Sequence, residues 1–139
     1  MEAIMLLCDY AEEIGGKLYI MGGGWSRLLR RVPVMMSLAV KLLVPWDEAD
    51  TTHKVSLSLV KEDGEPVMAE GRPVQLSGEV SVTRAPGLRH GTPIDLPFAL
   101  RFETSALEPG WYEWQLRVDD SFITQSSFEV LGEPARQED

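Results

Sequence analysis

Apolar residues recur at every second position through much of this chain. Val34, Met36, Leu38, Val40, Leu42 and Val44 alternate with positions that include Ser37 and Lys41. Val55, Leu57 and Leu59 alternate with Lys54, Ser56 and Ser58, and Phe98, Leu100 and Phe102 with Ala99, Arg101 and Glu103. The clearest run sets Tyr112, Trp114, Leu116 and Val118 against Glu113, Gln115, Arg117 and Asp119. Period two places each apolar set on one face of a strand, whereas a helix would scatter it around its circumference. Weaker strands are predicted over 2–8, 17–21, 74–82 and 122–130. No segment carries a helical period over ten or more residues, and 47–50 is expected to form at most one helical turn.

Turn chemistry punctuates these runs. Gly15-Gly16 precedes Lys17, Gly22-Gly23-Gly24 follows Met21, and Asp63-Gly64 closes the run that begins near His53. Ala85-Pro86-Gly87 and Glu108-Pro109-Gly110 mark further reversals. About seven to nine short strands separated by such turns predict an all-β chain folded as a two-layer antiparallel β-sandwich. The expected organisation is one domain over 1–131, followed by a polar, disordered tail over 132–139.

Composition narrows the functional classes. The chain has 139 residues, and 13 basic against 22 acidic side chains give a formal charge of −9. That balance argues against nucleic acid and against an anionic membrane surface, both of which need a basic footprint. The start, Met1-Glu2, is acidic and the first apolar run ends at Asp9, unlike a secretory signal. No stretch approaches the roughly 18 apolar residues of a membrane-spanning helix. The expectation is a cytoplasmic protein. The single cysteine, Cys8, lies in an apolar segment and is expected to be a small buried residue.

Four segments are distinctive: Gly16-Lys17-Leu18-Tyr19-Ile20-Met21-Gly22-Gly23-Gly24-Trp25, Val44-Pro45-Trp46-Asp47-Glu48-Ala49, Pro86-Gly87-Leu88 and Leu107-Glu108-Pro109-Gly110-Trp111-Tyr112. Together they resemble a family of small, uncharacterised bacterial proteins found largely in actinomycetes. The resemblance covers most of the chain and implies a bacterial cytoplasmic protein, but no catalytic residue. The run 109–118, followed by Phe128-Glu129-Val130, is also similar to the last hairpin of immunoglobulin-type and fibronectin-type sandwiches. That is an analogy of fold alone.

Candidate chemistry is sparse. His53 and His90 lack metal-ligand spacing and are expected at the surface. No Gly-x-Ser-x-Gly elbow is present. The glycine triplet lacks the Lys-Ser/Thr ending and following helix of a phosphate loop, so it is read as a close backbone approach or a bulge. Acidic residues cluster on expected loops. Asp47, Glu48, Asp50, Asp119 and Asp120 offer hard oxygen ligands for calcium if two loops meet at one end of the sandwich. Arg27, Arg30 and Arg31 form a local basic patch suited to an anion or an acidic partner. Trp25, Trp46 and Trp111 sit beside turns, where tryptophans anchor binding interfaces or close the ends of sandwiches.

The reading that best fits is a non-catalytic interaction module with a protein partner or a second copy, and no cofactor. A small-ligand or calcium-binding sandwich is the alternative, and a hydrolase with an unrecognised site is the second alternative.

Overall fold

The computed structural model describes residues 1–29, 34–104 and 107–132. Arg30 and Arg31, and the tail beyond Gly132, lie outside the described residues. The strands are β1 (Glu2–Ile14), β2 (Lys17–Gly23), β3 (Arg27–Leu29), β4 (Val34–Val44), β5 (His53–Lys61), β6 (Met68–Ala69), β7 (Arg72–Pro73), β8 (Gln75–Val80), β9 (Ile94–Thr104), β10 (Gly110–Val118) and β11 (Ser121–Leu131). A single 3-10 turn, Trp46–Glu48, begins one residue before the helical turn expected from sequence.

The strands assemble into one sheet in the order β2-β1-β4-β9 and another in the order β3-β11-β10-β5-β8, with a separate β6–β7 hairpin. The sandwich expected from sequence is therefore present. Among the described residues it has more strands than anticipated, because β3, β6 and β7 are too short to show a period. All pairings are antiparallel except β3 with β11, where Arg27 to Leu29 run parallel to Glu129 to Leu131.

The core lies between the sheets and follows the alternation. Met36, Leu38, Val40 and Leu42 of the first sheet meet Leu57, Leu59, Trp114, Leu116 and Phe128 of the second. Trp114 is fully buried. Its ring meets Phe102 edge-on at 5.0 Å, and its indole N–H donates to Met36 Sδ at 3.4 Å. Both partners belong to the opposite sheet, so Trp114 joins the layers. Burying a side chain of this class contributes at least about 2 kcal/mol. No helix among the described residues is long and apolar enough to cross a membrane.

Candidate functional site

The β1–β2 hairpin departs from the sandwich. Its loop, Gly15-Gly16, has φ of +59° and +81°, the pair of left-handed residues that a two-residue type I′ turn demands. The Gly16 N–H donates to Glu13 Oε1 at 2.8 Å and fixes the loop. β1 pairs with β4 only as far as Cys8 opposite Ser37, while its pairing with β2 continues to Ile14 opposite Lys17. Beyond Cys8 the hairpin therefore leaves the shared register.

It curls across the outer side of its own sheet. Ala11 and Leu18 pack with Leu6, Cys8, Ala39 and Ala99 in a small cluster separate from the main core. Leu6, Cys8, Ala39 and Ala99 alternate with inward-facing residues, so this cluster lies on the outer side. The glycine triplet permits the curl. Gly22 has φ of +61°, and a Cβ on Gly23 would lie 2.8 Å from Ile20 Cγ2 and 3.1 Å from Leu6 Cδ2. The Gly24 N–H donates to the Leu7 carbonyl at 2.8 Å. The triplet is thus a close backbone approach, as its composition suggests.

Cys8 is buried in this second cluster rather than in the main core. Its thiol lies 3.4 Å from the Ser37 carbonyl, to which it donates. Burial raises its pKa, so it is held as a thiol.

The hairpin leaves several large apolar residues outside, among the exposed charges of Asp9, Glu12, Glu13 and Lys17. Direct cross-strand partners share a face, so Tyr10 with Met21 and Tyr19 with Glu12 lie together. Met21 is 69% exposed, Ile14 54% and Tyr19 52%, with Tyr10 and Ile20 also exposed. The Tyr10 hydroxyl donates to Glu12 Oε2 at 2.8 Å, and this bond raises the phenol's pKa.

β2 is moreover the free edge of its sheet. Among the described residues, the other edges of the two large sheets carry devices that discourage pairing. β9 holds Pro97 with Asp95, Arg101 and Glu103; β8 holds Glu79; β3 is three residues long and starts at Arg27. From Leu18 to Ser26 there is no charge and no proline. A run of consecutive apolar residues, rather than an alternating one, is the sequence signal for this surface.

The residues singled out from sequence are dispersed. Trp25 is half-buried, packs edge-on to Phe128 at 6.4 Å, and has a buried indole N–H without a partner among the described residues. It closes the end of the core beside β3. Arg27 is paired with Glu129 at 3.4 Å. Trp46 is half-buried between Arg84, 5.1 Å from its ring centroid, and His90, 5.0 Å away. Met1, Leu43, Trp46, His90 and Pro93 line a cavity of about 430 Å³. Trp111 is 41% exposed on the outer face of β10, beside an open concavity of about 500 Å³ with Lys61, Glu62 and Glu108.

The acidic candidates do not gather as a calcium site would require. Among the described residues no group of three or more His, Cys, Asp or Glu side chains is placed to hold a metal. Asp50 and Asp120 are each engaged by a separate cation. Asp50 pairs with Arg84 at 3.4 Å, and Asp120 with Lys54 at 3.8 Å. Asp47 and Glu48 lie within the 3-10 turn. Asp119 and Asp120, with φ of +51° and +66°, form the two-residue loop between β10 and β11.

His53 is buried, contrary to the surface position expected for it. Its Nδ1 lies 2.7 Å from Asp119 Oδ2 and its Nε2 2.7 Å from the Glu48 carbonyl, so the protonated ring donates to both. The other carboxylate oxygen of Asp119 accepts the Lys54 N–H at 2.9 Å. The hydrogen bond to Asp119, and then the Glu48 carbonyl, raise the His53 pKa, because both partners only accept. The same contact lowers the pKa of Asp119.

Thr51 Oγ1 stands 3.2 Å from Nε2, which places hydroxyl, imidazole and carboxylate in series. The Thr51 hydroxyl is nonetheless turned away from the ring, since it donates to the Glu48 carbonyl at 2.8 Å. These residues tie the 3-10 turn, β5 and the β10–β11 loop together.

No match to the chain was found among curated proteins. A family model does match, over residues 3–131, and the chain belongs to that family, the family of unknown function DUF6941.

Proposed function

We propose that this protein is a non-catalytic interaction module that presents its β1–β2 hairpin to a protein partner. The observation that carries the reading is the gathering of exposed Tyr10, Ile14, Tyr19 and Met21 on one face of a hairpin at a free sheet edge, with exposed Ile20 on its other face. Exposed apolar residues scattered singly are ordinary, whereas a contiguous set on a free edge is a surface for strand addition or apolar docking. The His53–Asp119 pair supports the non-catalytic part, since both ring nitrogens are engaged in holding loops together. A cytoplasmic setting is part of the same proposal and is supported by the acidic composition and the reduced, buried Cys8.

The test is quantitative capture from the source cell with wild type and with a Tyr19→Lys/Met21→Lys variant. Proteins, including further copies of this chain, should be retained by wild type and lost by the variant. Equal retention by the two would sink the proposal.

A second reading is favoured by the cavity beside Trp46, where aromatic and apolar groups stand near Glu2 and Asp47. A small ligand bound there would raise the melting temperature and quench Trp46 fluorescence, both abolished in Trp46→Leu. A ligand screen that moves neither signal rejects it.

A further inference from the structure

The loop of the β1–β2 hairpin fixes which main-chain groups of β2 are unused. A two-residue loop makes its flanking residues, Ile14 and Lys17, a hydrogen-bonded pair. Bonded and non-bonded pairs then alternate along the ladder. Lys17, Tyr19 and Met21 direct their N–H and C=O groups to β1, and Leu18 and Ile20 direct theirs to the free edge.

We infer that this edge pairs antiparallel with β2 of a second copy, with Ile20 opposite its own counterpart across a two-fold axis. This rests on the reading of the hairpin as an interaction surface and names its occupant. In that register the Ile20 N–H of each copy donates to the Ile20 carbonyl of the other. Tyr19 lies against Met21 of the second copy, Leu18 against Gly22, and Lys17 against Gly23. Every cross-strand pair is apolar or includes a glycine, and no like charges are opposed.

Self-complementarity of the edge selects a second copy as occupant. The charge of −9 opposes self-association, and the edge adds no opposed like charges to that repulsion. Leu18 to Ser26 carries no charge. The other edges are poor partners for β2, because it would meet Pro97 on β9, Glu79 on β8 or Arg27 on β3. Pairing β2 with itself also uses the open edge of both copies, so the assembly closes as a dimer rather than growing into a filament. A seven-residue strand is roughly 23 Å long. An interface built on one such edge belongs to the small, reversible class, with a dissociation constant on the order of micromolar.

Sedimentation equilibrium of the full chain, from about 1 µM to about 500 µM, reads this directly. Wild type should pass from monomer to dimer. Tyr19→Lys should weaken the dimer by about 100-fold, as should Ile20→Pro, which deletes the N–H directed outward but none that bonds β1. Circular dichroism and melting temperature of Tyr19→Lys should match wild type, and Leu88→Lys, on a distant loop, should leave the dimer intact. A wild type that stays monomeric at 500 µM overturns the inference. So does a dimer indifferent to Tyr19→Lys and Ile20→Pro. If capture of unlike proteins by the hairpin persists while wild type is monomeric, the interaction module survives and only its self-pairing fails.

Discussion

Two hairpins of this molecule are closed by the same kind of turn and put to opposite uses. Gly15-Gly16 and Asp119-Asp120 are both two-residue loops with positive φ at each position. The β10–β11 hairpin sits inside its sheet, flanked by β5 and β3, with Tyr112, Trp114, Leu116 and Phe128 buried. Its aspartate loop bonds to His53 and Lys54, so even the turn is anchored. The β1–β2 hairpin sits at a border, shares only part of its length with β4, and keeps Tyr19 and Met21 exposed. Its glycine loop makes no side-chain demand on the rest of the molecule. Turn geometry therefore does not decide whether a hairpin is structural or available. That depends on how many sides of it are already paired and on which face its apolar residues occupy.

The strongest way to break this comparison is to truncate one apolar side chain in each hairpin. Phe128→Ala removes a ring stacked on Tyr112 and in contact with Trp25. It should cost about 3–5 kcal/mol in urea unfolding. Met21→Ala should change stability by less than about 0.5 kcal/mol. Comparable losses would mean that the β1–β2 hairpin carries the fold after all.

The anchoring of the aspartate loop is the next point of attack. His53→Ala leaves the Glu48 carbonyl with the Thr51 hydroxyl alone and removes one partner of Asp119, at a cost of about 1–2 kcal/mol. Dimer formation through β2 should be unaffected. The pH dependence has a definite sign. The folded-state pKa of His53 is raised, so its stabilisation is full below the ordinary histidine range near 6.5. It is lost as pH rises through the raised value. Asp119 is lowered from 3.8, so its part is present above that value and lost on acidification through the lowered one. The stability gap between wild type and His53→Gln should narrow as pH is raised from 6 to 9. A gap that widens would contradict the assignment.

The smallest effect sharpens the comparison of turns. Asp120 adopts φ of +66°, where glycine is at ease and aspartate is strained. Asp120→Gly should stabilise the protein by about 0.5–1 kcal/mol. Asp119→Gly, in the same loop, should destabilise it, because the lost carboxylate holds His53 and Lys54.

The sandwich was legible because alternation and turn residues agree. The expected run 34–44 coincides with β4, and the parity of Trp114 places it in the core. β3 was not legible, since three residues have no period and its parallel partner is distant in sequence. His53 was misplaced because its partner lies 66 residues away, and a lone histidine at a strand start looks the same whether or not a carboxylate comes to meet it. The acidic loops were over-read for a related reason. Composition shows carboxylates near one another, whereas cross-strand pairing decides whether each meets a lysine, an arginine or a histidine first. The glycine triplet was read as a close approach, but the face onto which the hairpin curls depends on Leu18 finding Ala99.

Residue-resolved hydrogen exchange at two protein concentrations tests the central claim most directly. In the monomer, the Leu18 and Ile20 amides face water while those of Tyr19 and Met21 bond β1. Raising the concentration from about 5 µM to about 500 µM should slow exchange at Leu18 and Ile20, with Tyr19 and Met21 protected throughout. Exchange at Leu18 and Ile20 that is fast and unchanged at both concentrations would contradict pairing through this edge.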